Sequence, residues 1–217
     1  MPKQGTRSDL STAVETLRAR GMRAVAQEHP ESYVKFHRGF RALAQELEPL
    51  PEAPAFHPYA WQQRVLELLE EAPDDRTIIW VHDSKGGRGK SRLAEHLILA
   101  HAGMKLEGRL CDMKYLWEKE YKIAIFDVSR AAADHSDHLY SMAEALKDGN
   151  FVSTKYETRF KVFPRPHVIF FANRMPDEGK WSKDRVKIVD LDKPDWIRER
   201  RRSPVRLPDD PFAQGLA

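Results

Sequence analysis

The chain has 217 residues, of which 32% are charged and 41% hydrophobic, and its formal net charge is +3. This is the composition of a soluble globular chain, with room for one α/β domain and a small helical appendage; a charge so near balance does not by itself indicate nucleic acid. The single cysteine, Cys111, excludes an intrachain disulfide framework and a cysteine-rich zinc site, and no apolar run approaches the roughly 18–20 residues of a membrane helix. The start, Met1-Pro2-Lys3-Gln4-Gly5, has no apolar signal core, so an intracellular protein with no membrane partner is expected.

Leu10, Ala13, Val14 and Leu17 recur at helical spacing, Gly21 breaks the pattern, and Pro30 punctuates it. Phe36, Phe40, Leu43 and Leu47 form a second stripe. Residues 1–48 therefore read as a helical segment that packs on itself, on the next domain or on another subunit. Pro49, Pro51, Pro54 and Pro58 cannot continue a helix, which makes 49–58 a linker with a domain boundary near residue 55.

The texture then changes. Residues 61–71 have an amphipathic helical pattern. The apolar runs 77–81, 123–126, 168–171 and 186–189 read as buried strands, and 93–100 as a helix. Buried strands alternating with helices predict an α/β fold with a mainly parallel sheet covered on both faces, spanning 59–195. Residues 196–217, with Arg198, Arg200, Arg201, Arg202 and Arg206, read as a basic, proline-containing, disordered tail.

The loop after the first strand is Ser84-Lys85-Gly86-Gly87-Arg88-Gly89-Lys90-Ser91. It matches the second half of the Walker A pattern and lies between a strand and a helix, the context that confirms the motif. Gly86, Gly87 and Gly89 let the backbone turn its N–H groups toward a phosphate, with Arg88 inside the same loop. Lys90 is expected to reach the β- and γ-phosphates of ATP, and the Ser91 hydroxyl to hold Mg²⁺. Ser84 stands where the pattern begins with glycine, preceded by Asp83.

Asp127 ends the second strand and is placed to hold Mg²⁺ through water; a turn-capping aspartate gives the same local signal. Val128 follows it, so no second acid stands beside it, and the general base is left open. Residues 147–161 alternate β-branched, aromatic and basic types, as in a hairpin. Its cations suit phosphates and its aromatic rings suit bases, though an edge hairpin with a solvated face has the same pattern.

The order Gly-Gly-Arg-Gly-Lys-Ser, Ile-Phe-Asp-Val-Ser-Arg, Phe-Phe-Ala-Asn resembles a superfamily 3 helicase, and more narrowly the helicase domain of the replication-initiator (Rep) proteins of circular single-stranded DNA viruses. The resemblance covers roughly residues 57–192. It implies an AAA+-like P-loop NTPase that moves on single-stranded DNA as a homo-oligomeric, hexameric ring, in the host nucleus. It implies that Asn173 senses the γ-phosphate or orients water. It also implies that Arg185, in Ser182-Lys183-Asp184-Arg185, is an arginine finger for the neighbouring subunit, with Arg130 and Arg174 as rivals. Lys155 is the implied strand contact in the channel, with Lys147, Arg159 and Lys161 as added phosphate contacts and Tyr156 or Phe160 as stacking residues. RNA is a further substrate class, since related helicases act in RNA viruses. An assembly module with weak hydrolysis is the other reading. The rolling-circle nuclease that precedes such domains uses a His-x-His pair and a Tyr-x-x-Lys context. Neither occurs here, and His135 and His138 read as surface residues or helix-start residues. The chain is expected to begin about where that nuclease would end.

Overall fold

In the computed structural model, residues 8–49, 51–128, 137–177 and 179–193 are described. The chain divides into two compact units, residues 1–51 and 52–217. In the first, α1 (Ser8–Glu28) and α2 (Pro30–Leu47) enclose a small core of Ala13, Leu17, Val25 and Phe40. Gly21 kinks α1 with φ 78°, a left-handed value that only glycine adopts at little cost. Pro30 starts α2 at the first helical turn, where its missing N–H costs nothing.

The second unit holds α3 (Ala60–Glu70), β1 (Ile78–His82), α4 (Lys90–Ala100), β2 (Gly103–Lys105), α5 (Leu110–Leu116), β3 (Ile123–Val128), α6 (Asp137–Asp148), β4 (Asn150–Ser153), β5 (Arg159–Val162), β6 (His167–Ala172) and β7 (Val186–Asp190). Five strands form one parallel sheet in the order β2-β3-β6-β1-β7, and β4 and β5 form a separate antiparallel hairpin.

Side chains alternate across this sheet with a period of two, and each face has its own core. On one face Trp80, Phe126, Val128 and Phe170 pack with Met113, Trp117, Met142 and Leu146 of the α5–α6 side. On the other, Val81, Ile125, Ile169 and Phe171 pack with Trp61 and Val65 of α3 and Leu93 and Leu97 of α4. Both faces are buried, which is why β1, β3 and β6 read as unbroken apolar runs. The sheet carries β1, β3 and β6 side by side, so the loops leaving their carboxyl ends meet in one place.

Among the described residues no helix is long and apolar enough to cross a membrane. The tail 196–217, Arg130 and His135 lie outside the described residues.

Candidate nucleotide site and nucleic-acid hairpin

The loop between β1 and α4 is shaped by its glycines. Gly86, Gly87 and Gly89 have φ of 82°, 76° and 87°. A side chain at Gly86 or Gly87 would meet open space, so the backbone conformation alone demands glycine there. At Gly89, the N-cap of α4, a Cβ would also come within 3.0 Å of the Gln62 amide and 3.2 Å of the Tyr59 ring. The loop is braced from that side by α3. Trp61 Nε1 donates to the Arg88 carbonyl at 3.1 Å, and Gln62 Nε2 donates to the Gly89 carbonyl at 2.9 Å. This bracing was not legible in the sequence, where Trp61 read only as an amphipathic-helix residue.

Asp83 is the hub of the loop and has no solvent exposure. Lys90 Nζ donates to its Oδ2 at 2.6 Å, the Gly86 N–H donates to its Oδ1 at 3.0 Å, and Arg88 Nε lies 3.6 Å away. Burial opposes ionisation, but these hydrogen bonds and cations outweigh it and hold the carboxyl below the usual range. An ammonium, a guanidinium and a loop N–H are the donor set that gathers around an anion, and here they gather around a carboxylate. The residues present thus fit a phosphate group.

Arg88 is also tied to the exit of β7. Its Nη1 donates to the Leu191 carbonyl and pairs with Asp192 at 3.1 Å, while the Ser84 N–H donates to Asp192 Oδ2 at 3.1 Å. His82 Nδ1 lies 2.8 Å from Asp190 Oδ1. His82, Asp190 and Asp192 have ligand atoms within 4.8 Å of one another, but their hydrogen bonds are spent on each other and on the loop. Through Asp192 the cluster tethers the loop to the exit of β7.

Asp127 and Asn173 reach the same end of the sheet. Asn173 follows β6, and its Nδ2 donates to the Asp83 carbonyl at 2.7 Å. Asp127, in β3, falls on the face of Ile125 but is exposed near the strand's carboxyl end, whereas Val128 falls on the opposite face and is buried. The Asp127 carboxylate is 39% exposed and lies 3.6 Å from Lys105. Ser91 is exposed in the first turn of α4. Lys90 and Ser91 at the start of α4, Asp127 near the end of β3 and Asn173 just after β6 are therefore all carried to the carboxyl-end side of three adjacent strands. The carboxylate paired with Lys90 is Asp83, and the residue beside Asp127 in the chain is the apolar Val128.

Arg185 is elsewhere. It sits in the single turn Lys183–Arg185 just before β7, and Val186 pairs with Ile78 at the start of β1. The four-residue strand step from there to the Asp190–His82 level is about 13 Å at the usual rise. Arg185 thus lies at the opposite end of the sheet from the β1–α4 loop, 3.4 Å from Glu144 of α6. Arg174 lies at the loop end, one residue after Asn173. A cavity of 670 Å³ also lies at the far end, where Leu66, Leu69, Tyr121 and His167 line it. It is remote from the convergent polar groups, and a loop that holds phosphate with backbone N–H groups needs no deep cavity.

The hairpin β4–β5 presents two faces. Phe151 and Ser153 are buried, whereas Val152, Phe160 and Val162 are exposed on the other side. Lys155 Nζ pairs with Asp112 of α5 at 2.6 Å and lies over the rings of Tyr115 and Tyr156. That pairing pushes the Lys155 pKa up and the Asp112 pKa down. Arg159 pairs with Glu157 at 2.6 Å, and Tyr156 is 81% exposed. Lys161 is turned inward. Its Nζ donates to the carbonyls of Tyr115 and Trp117 at 2.8 and 2.6 Å and pairs with Glu118 at 2.9 Å. Lys147 is not available to a phosphate. Its side chain is 2% exposed, and its Nζ donates to the carbonyls of Asp74 and Pro166.

Over 134 residues the chain is 42% identical to Para-Rep C6 of Subterranean clover stunt C6 alphasatellite, a match that covers 59% of this chain and 46% of that protein. This chain is similar to viral and satellite replication proteins. Para-Rep C2 of Milk vetch dwarf C2 alphasatellite is 37% identical over 154 residues, 69% of this chain and 54% of that protein. The Master replication protein of Subterranean clover stunt virus (strain F) is 35% identical over 130 residues, 59% and 44% respectively. The chain spans about half the length of the curated relatives it matches. No family model matches it. The A-form apo structure of the NrS-1 C-terminal region overlaps it with a TM-score of 0.34 at 11% identity, over 66% of this chain and 41% of that one, too little to carry an argument.

Proposed function

We propose that this chain is the ATPase part of a viral or satellite replication protein, binding ATP and Mg²⁺ at the β1–α4 loop and using hydrolysis to move on single-stranded DNA. The observation that carries this reading is the convergence of Lys90, Ser91, Asp127 and Asn173 at the carboxyl ends of β1, β3 and β6, around a glycine loop whose donors already hold a carboxylate. Gly86, Gly87, Gly89 and Lys90 would hold the phosphates, with Arg88 steadying the loop from β7. Ser91 and Asp127 would hold Mg²⁺, which supplies charge neutralisation at the transferring phosphoryl group. Asn173 would orient the attacking water or sense the γ-phosphate.

The far placement of Arg185 favours a subunit-interface role, in which it acts on the nucleotide of the next protomer in a homo-oligomeric, hexameric ring. Lys155, Tyr156 and Arg159 are the strand contacts of this proposal, and Lys161 anchors the hairpin that carries them. The protein would act inside the host cell, in the nucleus if its template is viral DNA, with a nuclease domain elsewhere in a longer protein.

The test is ATP hydrolysis with and without single-stranded DNA or RNA, for wild type and Lys90→Ala. Stimulation by DNA that Lys90→Ala abolishes is expected, and a rate that no strand changes overturns the motor reading. Stimulation by RNA alone would assign an RNA substrate. The inward Val128 leaves Asp127 without an adjacent acid, which favours an assembly module as the second reading; hydrolysis too slow to detect in the assembled protein would establish it.

A further inference from the structure

Beside the hairpin turn is a cleft of 340 Å³, lined among others by Tyr115, Leu116, Ser153 and Tyr156. Its volume is at the lower end of the range of small-ligand sites, about 300–1,000 Å³. Tyr115 comes from α5 and Tyr156 from the hairpin turn. Their ring centroids are 5.2 Å apart and their planes are tilted by 73°, so the face of one ring meets the edge of the other. Both rings are exposed, and Lys155 Nζ stands 5.8 Å and 5.2 Å from their centroids.

Two further observations point to a ligand. Ser153 is 1% exposed, and its hydroxyl has no hydrogen-bond partner. A buried hydroxyl is normally satisfied, and leaving one unmade is costly. Tyr156 has φ 62°, a left-handed backbone that a bulky residue adopts at a cost and that recurs at ligand clamps. The carboxylates at the rim are already neutralised, Glu118 by Lys161 and Glu157 by Arg159, so nothing there repels a phosphodiester strand.

We propose that this cleft takes one nucleobase of a single strand, packed in the corner that the rings of Tyr115 and Tyr156 form, stacked on one ring and against the edge of the other, with Ser153 hydrogen-bonding its edge and Lys155 at the adjoining phosphate. The proposal rests on the strand-translocation reading above and deepens it. It adds Tyr115 and Ser153 to the strand-binding surface and makes α5 half of that surface. Because α5 lies between α4 and β3 in the chain, it joins the hairpin to the elements that carry Lys90 and Asp127.

The test compares a fluorescent oligodeoxythymidine, its ribo-uridine counterpart and an abasic strand of equal length, each bound to the whole chain. Wild type is expected to favour the base-bearing strands over the abasic one by about tenfold or more. Tyr115→Ala should lose about 5- to 100-fold on base-bearing strands and little on the abasic strand, while Tyr115→Phe keeps the wild-type value. A strand carrying 2-aminopurine should be quenched by wild type and not by Tyr115→Ala. Ser153→Ala should weaken base-bearing strands several-fold without lowering the thermal midpoint, because the hydroxyl makes no protein hydrogen bond to lose. Equal binding of abasic and base-bearing strands by wild type overturns the cleft and leaves strand binding intact. Failure of wild type to bind any strand overturns both readings. Unchanged base preference in Tyr115→Ala, with an altered sedimentation coefficient, overturns the cleft in favour of a subunit contact. The deoxy and ribo arms identify which strand supplies the base.

Discussion

Lys90 Nζ lies 2.6 Å from Oδ2 of Asp83, a carboxylate with no solvent exposure. The lysine that a nucleotide would need is thus already paired, and a triphosphate must compete for it against a negative charge that also repels the incoming phosphate. Asp83→Asn keeps an oxygen for the Gly86 N–H and removes that charge. We expect it to tighten nucleotide binding about tenfold, the equivalent of about 1.4 kcal/mol, as read by titration of a fluorescent ATP analogue. Weaker binding would mean that Asp83 positions Lys90 rather than competing for it.

Arg185 and Lys90 occupy opposite ends of the sheet, so their variants should complement each other. Arg185→Ala is expected to lower hydrolysis in the assembled protein about 10³-fold and to leave nucleotide binding by dilute protomers unchanged. Mixing Arg185→Ala with Lys90→Ala subunits should restore part of the rate, because some interfaces then carry both native groups. No recovery on mixing would argue against action between subunits.

The Lys155–Asp112 pair holds the hairpin cation against α5. Asp112→Asn should free it and tighten binding of single strands several-fold at low salt. Lys155→Ala should weaken binding and reduce the slope of log affinity against log salt by about 1. Fluorescence anisotropy across a salt series reads both.

Lys147 serves stability rather than strand binding. Truncation to Ala leaves the Asp74 and Pro166 carbonyls without their buried donor and should cost about 1–3 kcal/mol in urea unfolding. The salt slope of strand binding should not change.

Acid should destabilise the second unit in two stages. Burial lowers the pKa of His167 below 6.5, so the unfolded chain takes up that proton first and stability falls as pH drops below that value. For Asp74, burial opposes ionisation, but hydrogen bonds from the Thr77 hydroxyl and N–H and the Arg76 N–H outweigh it and hold the pKa at about 2. Its contribution is present above 3.8 and is lost as pH falls toward about 2. Asp74→Asn should shrink the lower stage, to which the lowered carboxyls of Asp83, Asp112 and Asp190 also contribute, and leave the upper one in place, as read by thermal unfolding at stepped pH.

What the sequence determined by itself were the local features, because local chemistry encodes them. Runs of buried β-branched and aromatic residues mark β1, β3 and β6. The glycines at 86, 87 and 89 mark a backbone with positive φ between a strand and a helix. Alternation in 147–161 marks the hairpin, although its first two residues, Lys147 and Asp148, close α6 instead. Strand order is different, since it is set by which apolar faces pack across the sheet. Only the tertiary structure placed β6 between β1 and β3, bringing Asn173 against the carbonyl of Asp83. Only it sent Arg185 to the far end, buried Lys147, turned Lys161 onto the α5 carbonyls and set Tyr115 beside Tyr156. Those side chains have the same identity on a surface as in a core, and their partners lie tens of residues away. Asp83 shows the difference most directly. In the sequence it is an irregularity before Ser84, and in the fold it is the buried charge around which the loop is built.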